Sequence, residues 1–121
     1  MRHLYRYLSK LIPLLLVLYS ANSIYGQCPV NADFTFSPAS PVRGEKVYFN
    51  GSLSSDSDGY IVKWEWDFGD GKTATGEKVN HRYTWTGTSS RTFNVVLKVT
   101  DNKGGQNATQ QPVTISPVSP K

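Results

Sequence analysis

SSDSDGYIVKWEWDFGDG, residues 54–71, is the stretch on which the fold turns. Tyr60, Val62, Trp64, Trp66 and Phe68 alternate with Lys63, Glu65 and Asp67. A period of two puts the aromatic set on one face and the charges on the other, the pattern of a strand with one buried face. The run starts after a serine- and aspartate-rich loop and stops at Gly69-Asp70-Gly71. Asp-Gly between two strand-like segments is a strong hairpin signal. Trp66 and Phe68 therefore read as core anchors, each able to bury roughly 150–250 Å². Asp67 reads as an acceptor for turn amides.

The same period runs through the rest of the chain. Phe34 and Phe36 share a face, as do Val47 and Phe49, with Tyr48 opposite. Val79, His81, Tyr83 and Trp85 align; so do Phe93, Val95, Leu97 and Val99, and finally Val113 and Ile115. Between them lie SPASPVRG, GSLSSDSDG, GDGK, TGTSS and DNKGG, which are turn chemistry. No segment has a helical period and no repeat is present. Short strands at this spacing predict an all-β sandwich of about seven antiparallel strands.

The 121 residues suggest one domain. Residues 1–26 read as a signal peptide: Arg2, Arg6 and Lys10 precede an apolar core from Leu11 to Tyr19, with cleavage after Ser23 or Gly26. The apolar run falls short of the roughly 20 residues a membrane span needs. An uncleaved anchor is the competing reading; after signal removal no span is expected. Three of the 13 basic residues and none of the nine acidic ones lie in this leader, so the remaining chain carries ten against nine, a net of +1. The basic balance thus belongs to the leader and does not argue for nucleic-acid binding. Residues 27–31 form a lead-in, 32–115 the sandwich and 116–121, SPVSPK, a flexible tail. Cys28 is the only cysteine, so no internal disulfide exists. It reads as an unpaired or intermolecular thiol, because IYGQC lacks the small residue that a lipoprotein signal has before its cysteine. Asn50-Gly51-Ser52 and Asn107-Ala108-Thr109 are sequons, making Asn50 and Asn107 glycosylation candidates.

DSDGYIVKWEWDFGDG resembles the PKD domain, an immunoglobulin-like module common in secreted microbial proteins. ADFTFSP is similar to the opening strand of that family and VYFNGSLSSDSDG to its second strand and loop. WDFGDG, which is Trp66, Asp67, Phe68, Gly69, Asp70 and Gly71, is its structural hallmark. VNHRYTWTGTSSRTFNVVLKVTDNKGG resembles its closing stretch, though WTGTSSR is longer than the usual turn. The resemblance covers about residues 32–115 and implies an immunoglobulin-like sandwich without catalytic activity.

Chemical motifs are few. Asp67-Phe68-Gly69 matches a kinase metal-binding triplet, but no glycine-rich nucleotide loop or catalytic loop accompanies it. His81 is the single histidine after the leader, and no nucleophile sits in a recognisable elbow. Asp56 and Asp58 stand two apart in a loop, and Asp101 lies in another. Aspartates in such loops serve backbone turns, yet hard cations also take several loop oxygens. The resemblance to PKD domains of secreted collagenases implies calcium held by Asp56, Asp58 and Asp101, with Asn31 a weaker fourth ligand. No cofactor is required; calcium would stabilise. Tyr48, Trp85 and whichever of Trp64 and Tyr60 a bulge turns outward are candidates to stack on sugar rings or flat protein surfaces. The alternative is that a small domain needs its aromatics for packing. The expected function is extracellular or cell-surface interaction with protein or polysaccharide, adhesion or spacing. The alternative is an accessory domain of a secreted peptidase or glycosidase whose catalytic part is elsewhere.

Overall fold

The computed structural model describes residues 29–118. The expected leader, Cys28 and the last three residues of the tail lie outside the described residues. Nine strands follow in order: β1 (Val30–Asn31), β2 (Thr35–Ser37), β3 (Lys46–Asn50), β4 (Ser55–Asp56), β5 (Ile61–Asp67), β6 (Thr73–Thr75), β7 (Lys78–Arg82), β8 (Arg91–Asp101) and β9 (Gln106–Ile115). They form a four-stranded sheet in the order β9-β8-β5-β6, a three-stranded sheet β2-β3-β7 and a two-stranded ladder β1-β4. All strand pairs are antiparallel. The number exceeds about seven because the opening strand is split into β1 and β2 and the two-residue β4 forms its own ladder.

The core lies between the sheets and follows the alternation. Phe34, Val47, Phe49, Trp66, Phe68, Val95, Leu97, Val99, Val113 and Ile115 are all buried. Trp66 is its centre: Phe34 meets it edge-on at 5.1 Å and Phe49 at 5.6 Å between ring centroids. The indole N–H of Trp66 donates to the Gly76 carbonyl at 2.8 Å, so burying it leaves no donor unpaired. Every buried aliphatic of β8 is flanked by an outward polar or half-buried residue, which is why one strand of eleven residues can span the sheet.

The hairpin from β5 to β6 is built by the hallmark residues. The Gly69 N–H donates to Asp67 Oδ1 at 2.9 Å, and the Lys72 N–H to Asp70 Oδ1 at 3.1 Å. Gly69 has a φ of +83°, and a Cβ there would stand 2.7 Å from the Asn94 carbonyl oxygen. Only glycine suits both the backbone angle and the approach of β8.

One expectation is corrected, and one open alternative, Trp85 as a surface or a packing ring, is decided for packing. The single-face assignment from Tyr60 to Phe68 fails at its start, because β5 is bulged between Ile61 and Lys63. The extra residue reverses the alternation: Ile61 packs on the core, while Tyr60 and Val62 are exposed. Trp64 remains inward and half-buried, with its N–H donating to the Gly51 carbonyl at 3.0 Å. Trp85 is not a free surface ring. It packs against Phe93, and the guanidinium carbons of Arg43 and Arg91 each sit 5.4 Å from its centroid.

Candidate metal centre and family

The bulge of β5 brings two loops together at one end of the sandwich. Ile61 pairs with Asp101, so the loop after β4 meets the turn between β8 and β9. The contact is reciprocal: the Asn102 N–H donates to the Tyr60 carbonyl at 2.9 Å, and the Tyr60 N–H to Asn102 Oδ1 at 3.0 Å. Carboxylate oxygens of Asp56, Asp58 and Asp101 there lie within 4.8 Å of one another.

The three carboxylates differ in what they already hold. Asp101 caps its own turn, with Oδ1 accepting from Lys103 N–H at 2.8 Å and Gly105 N–H at 2.7 Å. Asp58 Oδ2 takes the Lys103 ammonium at 3.1 Å. Asp56 is 9% exposed, and both of its carboxylate oxygens are buried without a hydrogen-bond partner. Burial raises the Asp56 carboxyl above the usual carboxylate range, and the neighbouring Asp58 and Asp101 push in the same direction. Lys103 lowers Asp58.

An orphaned, buried carboxylate is expensive unless something positive meets it. The residues therefore fit a hard cation: three carboxylates on two loops, with oxygens of Asp56 unclaimed. Glycine keeps the space between the loops clear, since a Cβ at Gly59 would stand 2.1 Å from Asn102 Oδ1 and 2.8 Å from Asp56 Oδ2. Asn31 stands opposite Ser55, one step along the ladder from the Val30–Asp56 pair. Strand alternation thus turns its side chain to the face away from Asp56. The lysine beside the cluster was not anticipated from sequence: Lys103 lies 45 residues from Asp58, and no local pattern joins them.

The other singled-out residues are placed as follows. His81 stacks flat on Phe68, with centroids 4.2 Å apart, and its Nε2 meets Asp70 Oδ2 at 2.7 Å. Asn50 accepts the Ser52 N–H through Oδ1 at 2.9 Å. Asn107 donates its amide to the Val30 carbonyl at 2.7 Å, and Gln111 does the same to the Phe34 carbonyl. These two amides of β9 tie the first strand segments to the sheet. No helix of the described residues is long and apolar enough to cross a membrane.

Two facing antiparallel sheets with this hairpin define an immunoglobulin-like β-sandwich. The sequence pattern of the PKD domain matches residues 29–116, and the chain belongs to that family. Over 79 residues it is 39% identical to collagenase ColA of Clostridium perfringens, covering 65% of this chain and 7% of that protein. Over 64 residues it is 44% identical to the pre-pro-metalloprotease PrtV of Vibrio cholerae, covering 53% of this chain and 6% of that protein. The chain thus spans a small fraction of these relatives. The crystal structure of the PKD1 domain of that metalloprotease superimposes with a TM-score of 0.60 at 35% identity, covering 73% of this chain and 98% of that one. A structure from work on the promiscuous specificity of carbohydrate-binding modules of the β-sandwich superfamily gives a TM-score of 0.68 at 36% identity, covering 75% of this chain and 36% of that one.

Proposed function

We propose that the chain is a non-catalytic extracellular module that binds protein or polysaccharide and spaces or anchors what it is attached to. The supporting observation is where the hallmark residues are spent. Trp66 and Phe68 are 1% and 2% exposed, and Asp67 and Asp70 hold the amides of their own turn. Segments similar to this chain form a small part of collagenases and a metalloprotease. That recurrence favours a second reading, an accessory domain of a secreted hydrolase. Retention of the full chain on collagen, chitin, cellulose or cell-wall matrices tests the binding role. Release of labelled fragments from those matrices by the chain alone would overturn the non-catalytic role, and retention on none would overturn binding.

Calcium completes the loop end in this reading. Asp56, Asp58 and Asp101 would hold it, and Asp101 would offer the oxygen its turn leaves unused. The ion would supply charge neutralisation and a tie between two loops, not chemistry on a substrate. Thermal unfolding with calcium and with chelator checks this, and an unchanged midpoint ends it.

A further inference from the structure

The outer face of the three-stranded sheet carries an ordered set of side chains. Alternation exposes Thr35 and Ser37 of β2, Lys46 and Tyr48 of β3, and Lys78, Asn80 and Arg82 of β7, with Asn50 half-buried. Register sorts them into rows: Thr35, Asn50 and Lys78; Ser37, Tyr48 and Asn80; Lys46 and Arg82. Strands lie about 4.8 Å apart and successive rows roughly 6.7 Å, so one aromatic ring sits amid amides and hydroxyls, with cations on both sides along the strands. Tyr48 is 55% exposed. It borders a shallow depression of about 290 Å³ lined also by Asn50, Lys78 and Asn80.

The charge on this face is one-sided. No strand position facing outward is acidic. Lys46, Lys78 and Arg82 take part in no side-chain ion pair among the described residues. The opposite sheet differs, because its outward Lys63 and Lys98 both reach Glu65, at 3.4 and 3.5 Å. Lys46 and Lys78, with Arg82 whose guanidinium also donates to the Gly44 carbonyl, surround the exposed ring without an ion-pair partner among the described residues and mark a local preference for anions.

Resting on the polysaccharide reading above, we propose that this face binds an acidic polysaccharide. The Tyr48 ring stacks on a sugar face, Asn50 and Asn80 amides take hydroxyls, and Lys46, Lys78 and Arg82 take carboxylates. A sheet face offers side chains and no free backbone groups, which suits a sugar ring better than an extended peptide; a peptide strand would use an edge.

Binding of the full chain to immobilised polygalacturonate, hydroxyethylcellulose and polyglutamate tests the assignment. Polygalacturonate is expected to bind in a salt-sensitive manner and the neutral polymer weakly. Tyr48→Ala, and separately Lys46→Ala with Lys78→Ala, should each weaken binding by on the order of tenfold. Tyr48→Phe should retain it, and Lys63→Ala with Lys98→Ala on the other sheet should leave it unchanged. Equal binding to polyglutamate, or equal loss from the Lys63/Lys98 variant, would overturn the proposal. Binding to hydroxyethylcellulose or collagen without polygalacturonate would overturn it while leaving the general binding role intact. Lys46, Tyr48, Lys63 and Lys78 are exposed and Lys98 is half-buried, and unchanged unfolding midpoints would confirm that the variants fold.

Discussion

The phenol of Tyr83 donates to the backbone carbonyl of Phe68 at 2.9 Å, and the tyrosine is 1% exposed. This bond ties the end of the hallmark strand to the segment after β7. Tyr83→Phe keeps the ring and leaves that carbonyl without its donor. The expected cost is about 1–2 kcal/mol, read from urea unfolding.

The same bond sets an alkaline limit. Burial, and then the Asp70 and Asp67 carboxylates, raise the Tyr83 phenol well above its ordinary value of 10.0. A group whose folded value lies above its unfolded one contributes stability that is complete below the unfolded value and is lost as pH rises beyond it. Stability should hold up to about pH 10 and fall above it. Absorbance titration should show the Tyr83 phenol ionising only with unfolding. Ionisation of Tyr83 in the folded state near its ordinary value would count against the buried placement.

Trp66→Ala removes the ring on which Phe34 and Phe49 pack. A loss of about 3–5 kcal/mol is expected. Tyr48→Ala, at an exposed site, should stay within about 0.5 kcal/mol. Comparable losses at both positions would contradict the division into core and surface.

Gly69→Ala meets two obstacles, a φ of +83° and the Asn94 carbonyl. The backbone angle alone costs about 1–2 kcal/mol in an L-residue, and the overlap adds to it. The midpoint of thermal unfolding should drop accordingly; an unshifted midpoint would show that β8 gives way freely.

Asp56→Asn separates the metal reading from simple electrostatics. In chelator the variant should match or exceed the parent, because it relieves a buried charge with no partner. With calcium at about 100 times its Kd the parent should gain roughly 2.7 kcal/mol and the variant far less. Equal gains for both proteins would exclude Asp56 as a ligand.

Much of this fold was legible in the chain itself. Alternation identified Trp66, Phe68, Val95, Leu97, Val99, Val113 and Ile115 as core, and all are buried. Asp67 and Gly69 were readable as turn residues because their partners lie within a few positions. Those features depend on local geometry: a strand has a period of two whatever it later packs against, and a tight turn is closed by its own residues.

Long-range register decided the rest. The bulge that exposes Val62 exists because β5 steps across β8 between Ile61 and Lys63, and no periodicity in one strand reports its neighbour's register. The contact of the Arg43 guanidinium with Trp85 joins segments 42 residues apart. The nearness of Asp56 and Asp101, and the burial that leaves Asp56 unpaired, arise only when two loops close on each other. So sequence alone determined which side chains seek the interior, since that is a property of each strand by itself. Tertiary structure decided which charges meet and which rings stay in water, since that depends on how strands are aligned and what covers them.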